Sequence, residues 1–132
     1  MTIADGETLF RYADPKILPE GQTDLPLSIF NDIEMSCDWD KYQKSPEMSP
    51  HVKSGRRLLI SIKVCEDIRY PKNPKRVGEI VQDWTQQVLH DPLVAQEGNI
   101  FTPNESHSLI KGKKKGAVTT AIRNNSTYRQ LD

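Results

Sequence analysis

The chain has 132 residues, of which 36% are hydrophobic and 7% aromatic, enough for one domain with a modest core. No stretch approaches the roughly 18 apolar residues of a membrane span, and the first ten residues lack the basic and apolar segments of a signal peptide. We therefore expect a cytoplasmic protein without a membrane association. The formal net charge of zero argues against non-specific nucleic-acid binding as the main function.

The zero net charge hides an asymmetry between the two parts of the chain. Residues 1–50 hold ten acidic and four basic residues, and residues 51–132 hold eight acidic and fourteen basic residues. Either the two parts neutralise each other within the fold, or the second part presents a basic surface to a polyanion.

The first part of the chain predicts short strands separated by loops rich in proline. Residues 9–12 alternate as a short strand does, and residues 34–39 are typical of a β-segment or a tight corner. Cys37 falls in the second of these segments, and Cys65 lies far along the chain. Nothing in the sequence positions the two for the roughly 5.5–6 Å Cα separation of a disulfide, so we expect both thiols to be reduced.

Residues 57–64 give the clearest strand pattern in the sequence. Leu58, Ile60, Ile62 and Val64 alternate with other residues, which makes one fully apolar face. We expect this strand in the centre of the sheet, with Ile60 and Ile62 buried.

A helix is predicted after the basic loop at 70–76. Val77, Ile80, Val81 and Trp84 follow the i, i+3, i+4, i+7 spacing of an amphipathic helix.

Residues 88–124 predict a strand at 88–90, a turn at Asp91-Pro92, a loop, a second strand at 106–111 and a helix at 114–125. The chain is thus expected to be a single α+β domain over residues 1–132. Its architecture would be a small, mostly antiparallel sheet of four to six short strands with two helices, at about 77–84 and 114–125.

The turn before the last helix is unusually basic. Three lysines crowd a helix end that carries partial positive charge, and no Ser, Thr, Asp or Asn stands at the usual cap position. An anion bound to the free N–H groups would remove this conflict. The candidate anion-binding residues are Lys111, Lys113, Lys114 and Lys115. The alternative is that these lysines are solvated and that the helix starts beyond Gly116.

Two histidines are the candidate catalytic residues. His90 and His107 lie on predicted strands separated by one loop, so both imidazoles could open on the same cleft if those strands pair. Such a pair could act as base and acid in phosphoester or nucleotide chemistry, with a lysine holding the charge. The alternative is that each histidine is a hydrogen-bonded structural residue, and whether the protein is an enzyme stays open.

Motifs for cofactors and metals are absent from the sequence. It contains no phosphate-loop, dinucleotide-binding or zinc-protease motif. The residues that could ligate a soft metal do not stand in pairs at a recognised spacing. We therefore predict no cofactor and no metal site. The residues considered are Cys37, Cys65, His51, His90 and His107.

Three short segments carry a resemblance. Residues 35–38, His90-Asp91-Pro92 and residues 104–114 resemble a loose group of small bacterial proteins with LS-x-D, HDP and N-x-x-H-x-L-[IV]-x-G-K patches. This sequence has Met-Ser-Cys-Asp at the first patch and a basic insertion near 70–83. The group has no assigned activity, so the resemblance implies a lineage and no mechanism.

Three functions follow from these observations. The first is a binding or accessory module that contacts a phosphate-bearing ligand or nucleic acid through the basic turn at 111–115. The second is an enzyme of phosphoester or nucleotide chemistry that uses His90 and His107. The third is an accessory subunit that binds a protein partner.

Overall fold

The computed structural model describes residues 1–76, 78–94 and 103–132. Six antiparallel strands form one sheet in the order β4-β5-β2-β1-β3-β6. This architecture confirms the predicted α+β class and the four to six strands. The strands are β1 Thr8–Ala13, β2 Glu34–Trp39, β3 Leu58–Lys63, β4 Gln87–His90, β5 His107–Lys111 and β6 Ser126–Gln130.

Strand β3 is the one predicted over residues 57–64. Ile60 and Ile62 are both completely buried, as expected from the apolar alternation. The expected central position is wrong, because β3 pairs with β1 on one side and with the edge strand β6 on the other. The central strands are β2 and β1, whose mixed polar and apolar sequences give a weaker strand signal.

Three α-helices lie within the described residues: α1 Pro50–Lys53, α2 Glu66–Arg69 and α3 Gly116–Asn124. Helix α3 is the predicted C-terminal helix, and it begins two residues later than expected because Lys115 keeps an extended backbone. Val118 and Ile122 on its inner side are completely buried. These two residues attach the helix to one face of the sheet.

The helix predicted at 77–84 is wrong over its described residues. Ile80 instead forms an antiparallel bridge with Lys72, and a short 3-10 turn spans Gln82–Trp84. Gly78 has a φ of +86°, which a helix cannot accommodate, and this turn directs the chain back towards residue 72. Residue 77 lies outside the described residues.

The main hydrophobic core lies on one face of the sheet, and a smaller cluster of Val52, Leu59 and Leu131 lies on the other. Alternation along β2 and β5 directs Met35, Cys37 and Ile110 into the core, whereas Ser36, Asp38 and His107 lie on the opposite face. Cys37 and Cys65 are not bonded to each other, as predicted. The sheet thereby presents a row of polar side chains on the face away from α3.

In the described ranges, no helix combines the length and apolar character needed to cross a membrane.

Candidate functional site

A cleft opens over the polar face of β2 and β5. Its volume is about 500 Å³, and a smaller recess of about 70 Å³ adjoins it. The two cavities share four lining residues, Ser36, Asp38, His51 and His107. We call the combined space the histidine cleft.

Asp38 is the buried centre of the cleft. Its Oδ2 accepts a 2.9 Å hydrogen bond from the Tyr12 hydroxyl, and its Oδ1 accepts a 2.8 Å hydrogen bond from Asn104 Nδ2. Asn104 Oδ1 in turn accepts hydrogen bonds from the backbone and the hydroxyl of Ser106. This network fixes the turn that leads into β5 and so sets the position of His107.

His51 enters the cleft from the short helix α1. The Ser49 side chain caps this helix by accepting a hydrogen bond from the His51 backbone N–H. The His51 ring stacks on Tyr12 with centroids 5.1 Å apart. Partial burial of the ring lowers the pKa of His51, with Asp38 opposing this effect and Arg56 adding to it. The imidazole is therefore neutral at neutral pH.

Burial also raises the pKa of Tyr12, and the neighbouring Asp38 carboxylate raises it further. The phenol accordingly stays protonated and remains a hydrogen-bond donor to Asp38.

His107 is held by contacts at both ring nitrogens. Its Nδ1 lies 2.9 Å from the carbonyl oxygen and 3.2 Å from the carboxylate Oδ2 of Asp91. Its Nε2 lies 3.2 Å from the Ser36 hydroxyl. A histidine between a carboxylate and a hydroxyl has the arrangement of a general base with its orienting group.

Two arginines line the recess. Arg11 donates hydrogen bonds to the carbonyls of Ile29 and Ser36 and forms an ion pair with Asp32 at 3.0 Å. Its charge is thus already compensated, and its role is to position β2. The Arg56 side chain is exposed and lines the recess beside His51, without a carboxylate within ion-pair distance in the described structure.

The structure does not bring His90 and His107 together. Strands β4 and β5 do pair, but His90 lies opposite Ser108, so the two histidines project from opposite faces of the sheet. The His90 ring stacks on Tyr42 with centroids 4.9 Å apart, and its Nε2 lies 2.7 Å from the Glu105 carbonyl. These contacts are typical of a histidine that stabilises the fold.

The four lysines of the basic turn at 111–115 lie in different environments. Lys114 Nζ donates to the carbonyls of Ile33, Ile110 and Gly112, and burial lowers its pKa to about 8. Lys111 lies 3.7 Å from the Glu34 carboxylate. Lys113 and Lys115 are exposed, and Lys115 precedes α3 without a side-chain cap.

His107 lies at the other end of β5 from Lys111. Four residues of an antiparallel strand span about 13 Å. The histidine and the basic turn therefore belong to separate surfaces, although His107 and Lys111 lie on the same face of β5.

Sequence reasoning missed His51, Ser36, Asp38 and Arg56 as members of one site. The signal that could have identified His51 is the Ser49-Pro50 pair, because a cap residue followed by proline is typical of a helix start. The spacing of Ser36 and Asp38 placed both on one strand face. Their closeness to His107 depends on the pairing of β2 with β5, which no local pattern reveals.

The described residues contain no group of three or more His, Cys, Asp or Glu side chains arranged to hold a metal ion. A second cavity of about 530 Å³ runs along α3, lined mainly by small residues such as Gly116, Ala117 and Ala121. Its described lining includes Asp67 and Lys72 but no histidine, so the histidine cleft is the better candidate for acid–base chemistry near neutral pH.

Comparison of the chain with protein-family models, curated proteins and solved structures finds no match.

Proposed function

We propose that this protein hydrolyses phosphodiesters in the histidine cleft. The observation that carries the proposal is the His107 contact set, with a carboxylate on one ring nitrogen and a hydroxyl on the other. His107 accepts the proton of the attacking hydroxyl group and returns it to the departing oxygen. Such general acid–base catalysis contributes about 10²–10⁴-fold to a rate.

His51 and Arg56 supply the remaining chemistry. The neutral His51 ring offers the hydrogen bond of its single N–H group to a phosphoryl oxygen without adding a charge. The Arg56 guanidinium, free of a carboxylate partner in the described structure, offers the planar donors that suit phosphate.

The charges around the cleft favour a phosphodiester over a phosphomonoester. Arg56 adds one positive charge, whereas the Asp38 and Asp91 carboxylates lie close by. A diester carries one negative charge at neutral pH, and a monoester carries nearly two. The singly charged diester therefore suits one arginine and two nearby carboxylates better than the more highly charged monoester does.

Hydrolysis of bis(p-nitrophenyl) phosphate tests the proposal. The wild-type protein is expected to release nitrophenol, and His107→Gln is expected to lower kcat/KM by about 10²–10⁴-fold. His90→Gln is the matched control, since His90 faces away from the cleft, and its rate is expected to equal that of the wild type. No turnover by the wild type, or equal loss in both variants, would contradict the proposal.

Anion binding by the basic turn is the second candidate function. It is supported by the exposed Lys113 and Lys115 beside an uncapped helix start. In this case Lys113→Ser combined with Lys115→Ser abolishes binding of a short oligonucleotide, and Arg56→Gln leaves it unchanged.

A further inference from the structure

The hydrogen bonds around His107 determine which ring nitrogen carries the proton. Nδ1 faces two oxygen atoms of Asp91, the carbonyl at 2.9 Å and the carboxylate at 3.2 Å. Both are acceptors, so Nδ1 must be the donor. In the neutral ring Nε2 then has a free lone pair, and the group it faces is the Ser36 hydroxyl at 3.2 Å.

Ser36 is held firmly while its hydroxyl stays accessible. The flanking residues Met35 and Cys37 are buried at 0% and 4% exposure, which anchors the backbone on either side. Arg11 Nη1 donates a 2.8 Å hydrogen bond to the Ser36 carbonyl. The Ser36 side chain itself is exposed and lines both parts of the histidine cleft.

From these contacts we infer that Ser36 is the catalytic nucleophile and forms a covalent intermediate, a phosphodiester that joins Ser36 Oγ to the part of the substrate that has not left. Asp91, His107 and Ser36 then act as orienting group, base and nucleophile. The inference rests on the proposed phosphodiester hydrolysis and specifies its nucleophile.

The reaction proceeds in two balanced displacements. In the first, the Oγ–P bond forms and the bond from phosphorus to the leaving oxygen breaks, while the Ser36 proton passes through His107 Nε2 to the leaving group. In the second, water attacks phosphorus, the P–Oγ bond breaks, and His107 moves a proton from the water to Ser36 Oγ. One water is consumed, and no oxidation or reduction occurs.

A fluorophosphonate probe tests the nucleophile independently of turnover. Attack by Ser36 forms the Oγ–P bond and expels fluoride, with the Ser36 proton transferred to His107. Peptide mass spectrometry is expected to find one adduct, on Ser36. The adduct is expected to be lost in Ser36→Ala and His107→Gln and kept in Ser54→Ala, which removes an exposed serine outside the cleft.

The probe and the diester assay together separate the two claims. Ser36→Ala is expected to lower diester hydrolysis by about a thousand-fold or more, with an unchanged thermal unfolding midpoint. If Ser36→Ala still hydrolyses the diester and the wild type forms no adduct on Ser36, then Ser36 is not the nucleophile. The proposal that the protein is a phosphodiesterase is unaffected by that result. A His107-dependent Ser36 adduct in a protein that does not hydrolyse the diester supports the nucleophile and rejects the substrate class. Labelling spread over exposed serines, or insensitive to His107→Gln, also overturns the nucleophile.

Discussion

Asn104 Nδ2 donates a 2.8 Å hydrogen bond to Asp38 Oδ1 and so joins the turn before β5 to the end of β2. Asp38 is only 3% exposed, and Asn104 is one of two side chains that pair its carboxylate. The bond therefore supports both the stability of the fold and the placement of His107.

Asn104→Ala is expected to lower the free energy of unfolding by about 1–3 kcal/mol, because a buried carboxylate oxygen loses its donor. Urea denaturation measures the loss. Asn73→Ala is the control, since the Asn73 side chain accepts a local hydrogen bond from the Lys75 backbone N–H in an exposed turn. A loss no larger than that of the control would mean that water replaces Asn104 at no cost.

Ile62→Ala tests the core beneath the cleft. Ile62 is completely buried in β3, and truncation is expected to cost about 2–5 kcal/mol through lost burial and the cavity left behind. Ile33→Ala is the control, because Ile33 is 64% exposed. Equal denaturation midpoints for the two variants would show that β3 does not belong to the core.

The imidazole of His51 is expected to titrate below its ordinary value of 6.5, because burial disfavours the charged ring. NMR titration of the ring protons measures the midpoint. Tyr12→Ala uncovers the ring and is expected to move the midpoint back towards 6.5. A wild-type midpoint at or above 6.5 would contradict the neutral role assigned to His51.

The same shift has a consequence for stability. The folded-state pKa of His51 is lowered, so its contribution is fully present above pH 6.5 and is lost as the pH falls towards the folded-state value. The free energy of unfolding of the wild type, relative to that of His51→Gln, is therefore expected to decrease as the pH falls below 6.5. A difference that is constant from pH 7.5 to 5 would count against this shift.

Lys114 is expected to give the protein a stability that rises with pH in the alkaline range. Its pKa is about 8 in the folded protein, whereas an unperturbed lysine has a pKa of 10.5. Between these values the unfolded chain binds more protons, so stability increases as the pH rises. Urea midpoints of the wild type and Lys114→Gln at pH 7.5 and 9.5 measure the effect. A difference between the two proteins that stays constant or falls would contradict it.

Much of the fold was predictable from local patterns. The alternation of Leu58, Ile60 and Ile62 identified β3, and the apolar stripe of α3 identified the C-terminal helix. Strand β6 was missed, because Asn124, Asn125 and Ser126 indicated only the end of a helix. Its residues are mostly exposed, so no buried alternation marks the strand. The 77–84 helix failed because Gly78 turns the chain within a segment whose apolar spacing is helical.

The site was predictable only in part. His107 was identified as a candidate, but its predicted partner His90 lies on the other face of the sheet. His51 and Ser36 are 56 and 71 positions from His107 in the sequence. They reach the cleft through strand pairing and the capped helix α1, which are long-range features. The lysines are predicted as an anion-binding site from the electrostatics of the helix end. That argument does not predict the hydrogen bonds that Lys114 donates to three backbone carbonyls.

A titration with dimethyl phosphate, a singly charged phosphodiester, followed through backbone amide shifts, tests most directly whether the chemistry of this protein belongs to the histidine cleft. The shifts are expected to concentrate at residues 36–38, 51–56 and 104–107, to weaken as salt rises, and to disappear in Arg56→Gln. They are expected to persist when Lys113 and Lys115 are both replaced by Ser. Shifts confined to residues 111–118 and lost in the lysine variant would contradict the account and assign anion binding to the basic turn.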